Sequence, residues 1–137
     1  MTDPSLEDLT IGATASFGRK IETSDVDAFA QLSGDSNPLH SDRAFAQRCG
    51  FRDRVVHGAF LAGLASRLVG VHLPGRRSFL LGLKLDFTAP TFPGETVQVK
   101  GTVISIHPAQ RVVVLRLDIT SGGETRARGS ATVRVTE

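Results

Sequence analysis

The feature that most constrains this chain is a change of hydrophobic period near residue 77. Before it, from about Arg54 to His72, Val55, Val56, Ala59, Phe60, Leu61, Leu64, Leu68 and Val69 leave few polar positions on a helix. Such a helix must be covered on most sides. After it, Phe79, Leu81, Leu83, Leu85 and Phe87 alternate with Leu80, Gly82, Lys84 and Asp86, the pattern of a half-buried strand. Three more strands are predicted over 96–106, 111–120 and 124–135, separated by turns that contain Pro93-Gly94, His107-Pro108 and Gly122-Gly123. Short connections predict that the four strands form an antiparallel meander. Its apolar face needs a cover, and only one helix is long and apolar enough to supply it. The expected architecture is α+β, a curved antiparallel sheet wrapped around a long central helix.

The rest of the chain fits one domain over residues 1–137, with no internal repeat and no linker. A first strand is expected over 13–21 and a helix from an N-cap at Ser24 to Gly34, with Asp25 and Asp27 in its first turn. A short helix from Ser41 or Asp42 to about Gln47 ends at Gly50. On the last strand Ala127, Gly129, Ala131, Val133 and Val135 share a face, and the small side chains at its start suit close packing against the central helix. That helix itself carries Gly58, Ala62, Gly63, Ala65 and Ser66, which let a backbone or a slender ligand approach.

Charge and composition exclude several classes. A net charge of +2 from 16 basic and 14 acidic residues, with arginines scattered, gives no strong field for nucleic acid. The stretch Val55–Val71 is too short and too interrupted for a membrane span, and Met1–Asp8 has no apolar core of a signal peptide. The single cysteine, Cys49, excludes an intramolecular disulfide and a cysteine-based metal site, and suits a small semi-buried side chain. The expected setting is the cytosol.

Between the two helical regions lies Gly34-Asp35-Ser36-Asn37-Pro38-Leu39-His40-Ser41. Gly34 can take positive φ, and Pro38 pushes Asn37 out of the α region. Asp, Ser and Asn side chains bond nearby backbone and stiffen such a loop. A carboxylate and an imidazole on one stiff loop are components of general acid–base chemistry. The plainer alternative is a helix stop and a turn with Asp35 and His40 merely solvated.

Two long motifs, Phe29-Ala30-Gln31-Leu32-Ser33-Gly34-Asp35-Ser36-Asn37-Pro38-Leu39-His40-Ser41-Asp42 and Arg54-Val55-Val56-His57-Gly58-Ala59-Phe60-Leu61-Ala62-Gly63-Leu64-Ala65-Ser66, carry a resemblance. A third, shorter pair is Phe87-Thr88-Ala89-Pro90 with Pro93-Gly94-Glu95-Thr96-Val97. With the order of elements, they make the chain similar to the MaoC-like, or (R)-specific, enoyl-CoA hydratases, which have the hot-dog fold. The resemblance implies reversible addition of water to a trans-2-enoyl thioester, giving an (R)-3-hydroxyacyl thioester, with Asp35 and His40 as the catalytic pair. It also implies a homodimer, an acyl tunnel beside the central helix, no metal and no redox cofactor. Coenzyme A or phosphopantetheine enters only as part of the substrate.

The residues suit that chemistry. Asp35 and His40 can hold one water between them, and a backbone N–H at Gly58 can meet a developing thioester oxyanion. Close packing is the alternative role for Gly58. Ser66 either lines the tunnel or bonds the Ala62 carbonyl of its own helix. Asn37 is a further substrate-side candidate, with bracing of the loop as its plainer role. His57 is expected to be structural, and His72 and His107 to lie at the surface. Leu64, Leu68 and Val69, with Phe79 or Leu81, are expected to close the tunnel and favour short to medium acyl chains. Three other readings stay open: a dehydratase acting on acyl-carrier-protein thioesters, with that carrier as a partner; a non-catalytic thioester-binding subunit; and a thioesterase.

Overall fold

The computed structural model describes residues 1–137. Strand β1 (Thr14–Lys20) leads into helix α1 (Thr23–Ser33), two short helices α2 (Pro38–Ser41) and α3 (Arg43–Arg48), and helix α4 (Gly58–Arg67). Strands β2 (Ser78–Phe87), β3 (Thr96–His107), β4 (Val112–Ser121) and β5 (Glu124–Val135) complete it. No helix is long and apolar enough to cross a membrane.

The five strands form one antiparallel sheet in the order β1-β3-β4-β5-β2. The expected four-strand meander is therefore corrected. Only β3, β4 and β5 run as consecutive neighbours, while β2 pairs with β5 at the far edge. The connection 88–95 carries the chain from one edge back to the other side of the sheet. Its backbone is held by contacts distant in sequence, such as Thr88 N–H to the Arg126 carbonyl. Turn length alone does not reveal such a crossing.

The central helix is shorter than its apolar run. Residues 54–57 are extended because tertiary partners take their amides: Val55 N–H bonds Leu39 O and Val56 N–H bonds Thr91 O. Beyond Arg67 the chain widens into one π-helical turn, Leu68–His72. Leu61, Leu64, Ala65, Leu68 and Val69 are buried against Val97, Val99, Val103, Val113, Leu115, Leu117 and the inner face of β5. Ala59, Gly63 and Ser66 lie exposed on the opposite side, so the helix is covered on one face and not on most.

Strand β2 departs from simple alternation. Its register to β5 shifts between Leu80 and Gly82, which leaves Leu81 as an extra residue. Ser78 and Leu80 lie opposite Val135 and Val133 on the inner face; beyond the bulge Leu83, Leu85 and Phe87 take that face, opposite Ala131, Gly129 and Ala127. Phe79 turns outward beneath the Arg134 guanidinium. Phe79, Leu81, Leu83 and Phe87 all remain exposed in the single chain.

Smaller expectations also change. Helix α1 begins at Thr23, where the Glu22 N–H donates to the Asp25 carboxylate, and not at an N-cap on Ser24. Cys49 is exposed. His72 is half-buried and stacked on Phe17, with ring centres 5.0 Å apart, because the π turn folds it back against β1.

Leu68 is the side chain that seats the helix on the sheet. It is fully buried and fills the space above Gly101, where a Cβ would collide with it. Leu68→Ala is expected to lower unfolding free energy by about 2–5 kcal/mol, read from urea denaturation.

Candidate active site

Helix α1 stops at Gly34, which takes φ 79° as its left-handed cap. The chain then turns sharply. Asp35 Oδ1 accepts the Asn37 N–H at 3.3 Å, and Asn37 Oδ1 accepts the Leu39 N–H at 2.9 Å, capping α2. Asn37 is exposed and thus braces the loop. These local bonds leave Asp35 Oδ2 free to face His40, which α2 presents one turn later.

The tautomer of His40 follows from its partner. Its Nδ1 lies 2.6 Å from the Val55 carbonyl, which can only accept, so Nδ1 carries the proton. Nε2 stands 3.7 Å from Asp35 Oδ2. That gap is too wide for a direct hydrogen bond and suits one small oxygen shared by both groups. The His40 side chain is 13% exposed and that of Asp35 50%, so the imidazole is sheltered and the carboxylate wet.

His57 was expected to be structural, and its position is more specific than that. It is buried and stacks on the His40 ring with centres 3.7 Å apart. Its Nε2–H donates to the Asp35 carbonyl at 3.0 Å, while Phe29 packs edge-on to its other side. One side chain thus fixes both the plane of His40 and the backbone of Asp35. The signal in the sequence was its place directly before Gly58; the contact to Asp35 spans 22 residues and has no local signature. Asp35, His40 and His57 offer ligand atoms within 4.8 Å of one another, and they are the residues that could hold a metal ion.

A cavity of about 390 Å³ opens beside His40. Phe51, Val55, Val56, Gly58 and Leu61 line one side, and Phe87 with the crossover residues Thr88–Thr91 the other. A Cβ on Gly58 would fall 2.9 Å from the Phe87 ring, so glycine allows this close approach at the start of α4. The first N–H groups of that helix have no partner within it. Ser66, roughly two turns further on, is exposed and does not line the cavity. Nor do Phe79 and Leu81, which the bulge turns away; Leu61 and Phe87 form the wall instead.

The crossover wall is held by an ion pair. Arg126 donates to Glu95 through two nitrogens, at 2.8 and 3.0 Å, and to the Pro90 carbonyl at 2.6 Å. Burial, the largest single effect, would raise the Glu95 carboxyl. The Phe92 N–H, the bonds and charge of Arg126 and the charge of Arg52 together outweigh it and hold the group below the ordinary glutamate range.

Against this geometry the comparisons with known proteins are consistent. The sequence pattern described as "MaoC like domain" matches residues 9–122. The chain belongs to the MaoC-like domain family. It is similar to the (R)-specific enoyl-CoA hydratase of Aeromonas caviae, 38% identical over 132 residues that span 96% of this chain and 98% of that one. A 3-hydroxybutyryl-CoA dehydratase of Methylorubrum extorquens is 38% identical over 94% of this chain and 82% of its own. Among solved structures, an R-hydratase from Pseudomonas aeruginosa superposes with a TM-score of 0.91 at 30% identity, covering 97% of this chain and 86% of that one. The fold is the hot-dog domain of the R-hydratases.

Glu95 makes stability depend on pH. Its carboxyl is held below the ordinary value of 4.5, so the folded state binds fewer protons than the unfolded chain in mild acid. The stabilisation is complete above that ordinary value and is lost as pH falls through the lower folded value. Glu95→Gln is expected to cost about 3 kcal/mol at pH 7 and to flatten the loss of stability on acidification, as measured by urea unfolding at a series of pH values.

Proposed function

We propose that this chain is an (R)-specific enoyl-CoA hydratase, a hydro-lyase that adds water reversibly to a trans-2-enoyl-CoA to give an (R)-3-hydroxyacyl-CoA. One observation carries the reading: Asp35 Oδ2 and His40 Nε2 lie 3.7 Å apart, and His40 lines the cavity that Gly58 also lines. A water held between them is oriented toward C3 of an enoyl chain in the cavity. Its oxygen attacks C3, its proton passes to the pair, and the pair returns a proton to C2. Both groups stand on one side of the chain, so oxygen and proton reach the same face of the double bond. The thioester oxygen, which gains charge as C3 is attacked, sits against the first N–H groups of α4; a good donor there contributes about 3 kcal/mol. Leu61 and Phe87 limit the depth and favour short acyl groups.

Two copies complete the enzyme. Strand β2 is a sheet edge that exposes Phe79, Leu81, Leu83 and Phe87, and open apolar edges of this kind invite pairing. The chain is assigned to the cytosol, where the exposed Cys49 thiol stays reduced.

Asp35→Asn and His40→Gln are each expected to lower kcat for hydration of crotonyl-CoA by about 10²–10⁴ with the fold retained, followed as loss of enoyl thioester absorbance with chiral analysis of the product. Near-normal turnover by either variant removes that residue from the mechanism. Light scattering at micromolar concentration is expected to give a dimer for the parent chain and a shift toward monomer for Leu81→Glu; an active monomeric parent overturns the assembly.

A further inference from the structure

Beside the cavity stands an arginine that the hydration chemistry does not use. Arg52 follows Phe51, which lines one wall, and its guanidinium carbon sits 4.2 Å from the centre of the Phe92 ring, next to Thr91 of the other wall. It therefore joins the two segments that carry the walls, one residue outside the lining on each side. One nitrogen donates to Glu95 Oε1 at 3.0 Å, and its side chain is otherwise 63% exposed. A guanidinium has five N–H donors, so most of those on Arg52 face water while the ring beneath and the carboxylate beside it fix its plane.

The surroundings favour an anion. Residues 43–54 contain four arginines and one acid, Asp53. Arg43 lies 3.8 Å from Asp53, and Arg54 is largely buried on Asp27 at 2.9 Å. Glu95 is already bonded through both oxygens to Arg126, whose Nε lies 3.4 Å from Glu124 on the far side. Arg52 is thus the weakly bound third member of a cluster built around another arginine. A planar cation, pre-oriented and with free donors, matches the bidentate geometry of a phosphate oxygen pair.

From this we infer that Arg52 binds a phosphate of the arm that delivers the thioester, and so sets affinity for the carrier without touching the reacting carbons. The inference rests on the hydratase reading for the identity of that arm. The phosphate can come from the phosphopantetheine segment, which coenzyme A and an acyl carrier protein share, or from the nucleotide end of coenzyme A alone.

The test compares Arg52→Gln with the parent chain on crotonyl thioesters of coenzyme A, of phosphopantetheine and of N-acetylcysteamine, the last without phosphate. Selectivity, the ratio of kcat/KM for the coenzyme A ester to that for the N-acetylcysteamine ester, is expected to fall about tenfold through KM, the factor that 1.4 kcal/mol makes in a constant. Arg52→Lys, which keeps the charge and loses the fork, is expected to recover part of it. A matching loss with the phosphopantetheine ester locates the phosphate in the shared arm; a loss confined to coenzyme A locates it at the nucleotide end. An unchanged ratio overturns the inference, and so does an equal loss on all three esters, which would mark Arg52 as a support for the Phe92 wall. Calorimetry with free coenzyme A separates the two readings. If the parent chain hydrates none of the esters, weaker binding by Arg52→Gln still sustains the phosphate site and leaves the hydratase reading to fall alone. Equal binding by both chains removes the site whatever the turnover.

Discussion

Everything at the site hangs from the seating of one short helix on one sheet. Helix α4 is ten residues long, and with the π turn that follows it supplies Leu61, Leu64, Ala65, Leu68 and Val69 to a face made by all of the inner strands. Burying a side chain of this size contributes about 1.5–3 kcal/mol, so the helix has no alternative position of similar stability. Its first turn then fixes where Gly58 stands. The three residues before it, Val55 to His57, are drawn out straight between the α2 loop and the crossover wall. The His40 imidazole takes its orientation from that straight segment, through the Val55 carbonyl on one edge and the His57 ring on one face.

This arrangement explains a division of labour between two kinds of polar contact. The Asp35–His40 pair is loose, with no bond between Asp35 Oδ2 and His40 Nε2, which leaves the room that the proposed reacting water needs. Its supports are bonded directly: the Gly34 cap, the Asn37 cap, the His57 Nε2 donor and the Glu95–Arg126 pair each make short hydrogen bonds to protein groups, while His57 Nδ1 and Arg126 Nε are buried without a hydrogen-bond partner. A site of this type leaves its two facing side chains free by bonding the groups one step behind them.

Much of this was legible in the sequence because it is local. The strand bounds of β2 to β5 follow from alternation and turn residues, and the stiff Asp35–His40 loop follows from Gly34, Asn37 and Pro38. What could not be read depends on partners far away in the chain. The apolar run 54–72 has the period of one helix, yet Leu39 and Thr91 capture the amides of Val55 and Val56 and delay its start. The order of the strands turns on whether eight residues, 88–95, make a hairpin or a crossing, and both fit the same Pro and Gly content. Ser66 shares small neighbours with Gly58 but points to the uncovered side of α4, a distinction that only packing makes.

The bulge in β2 has a consequence for how this strand tolerates change in length. A regular strand is a parity device: each residue added or lost exchanges its two faces beyond that point. Because Leu81 stands outside the pairing, β2 holds one residue more than its register uses. Loss of Leu81 leaves Leu80 and Leu83 both on the inner face, with the alternation unbroken from Ser78 to Phe87. Loss of any one residue between Leu83 and Phe87 turns Leu83 outward if Phe87 is to keep its place against Gly58. The strand therefore contains one position where a codon deletion is geometrically silent, a few residues from positions where the same deletion dismantles the wall of the cavity.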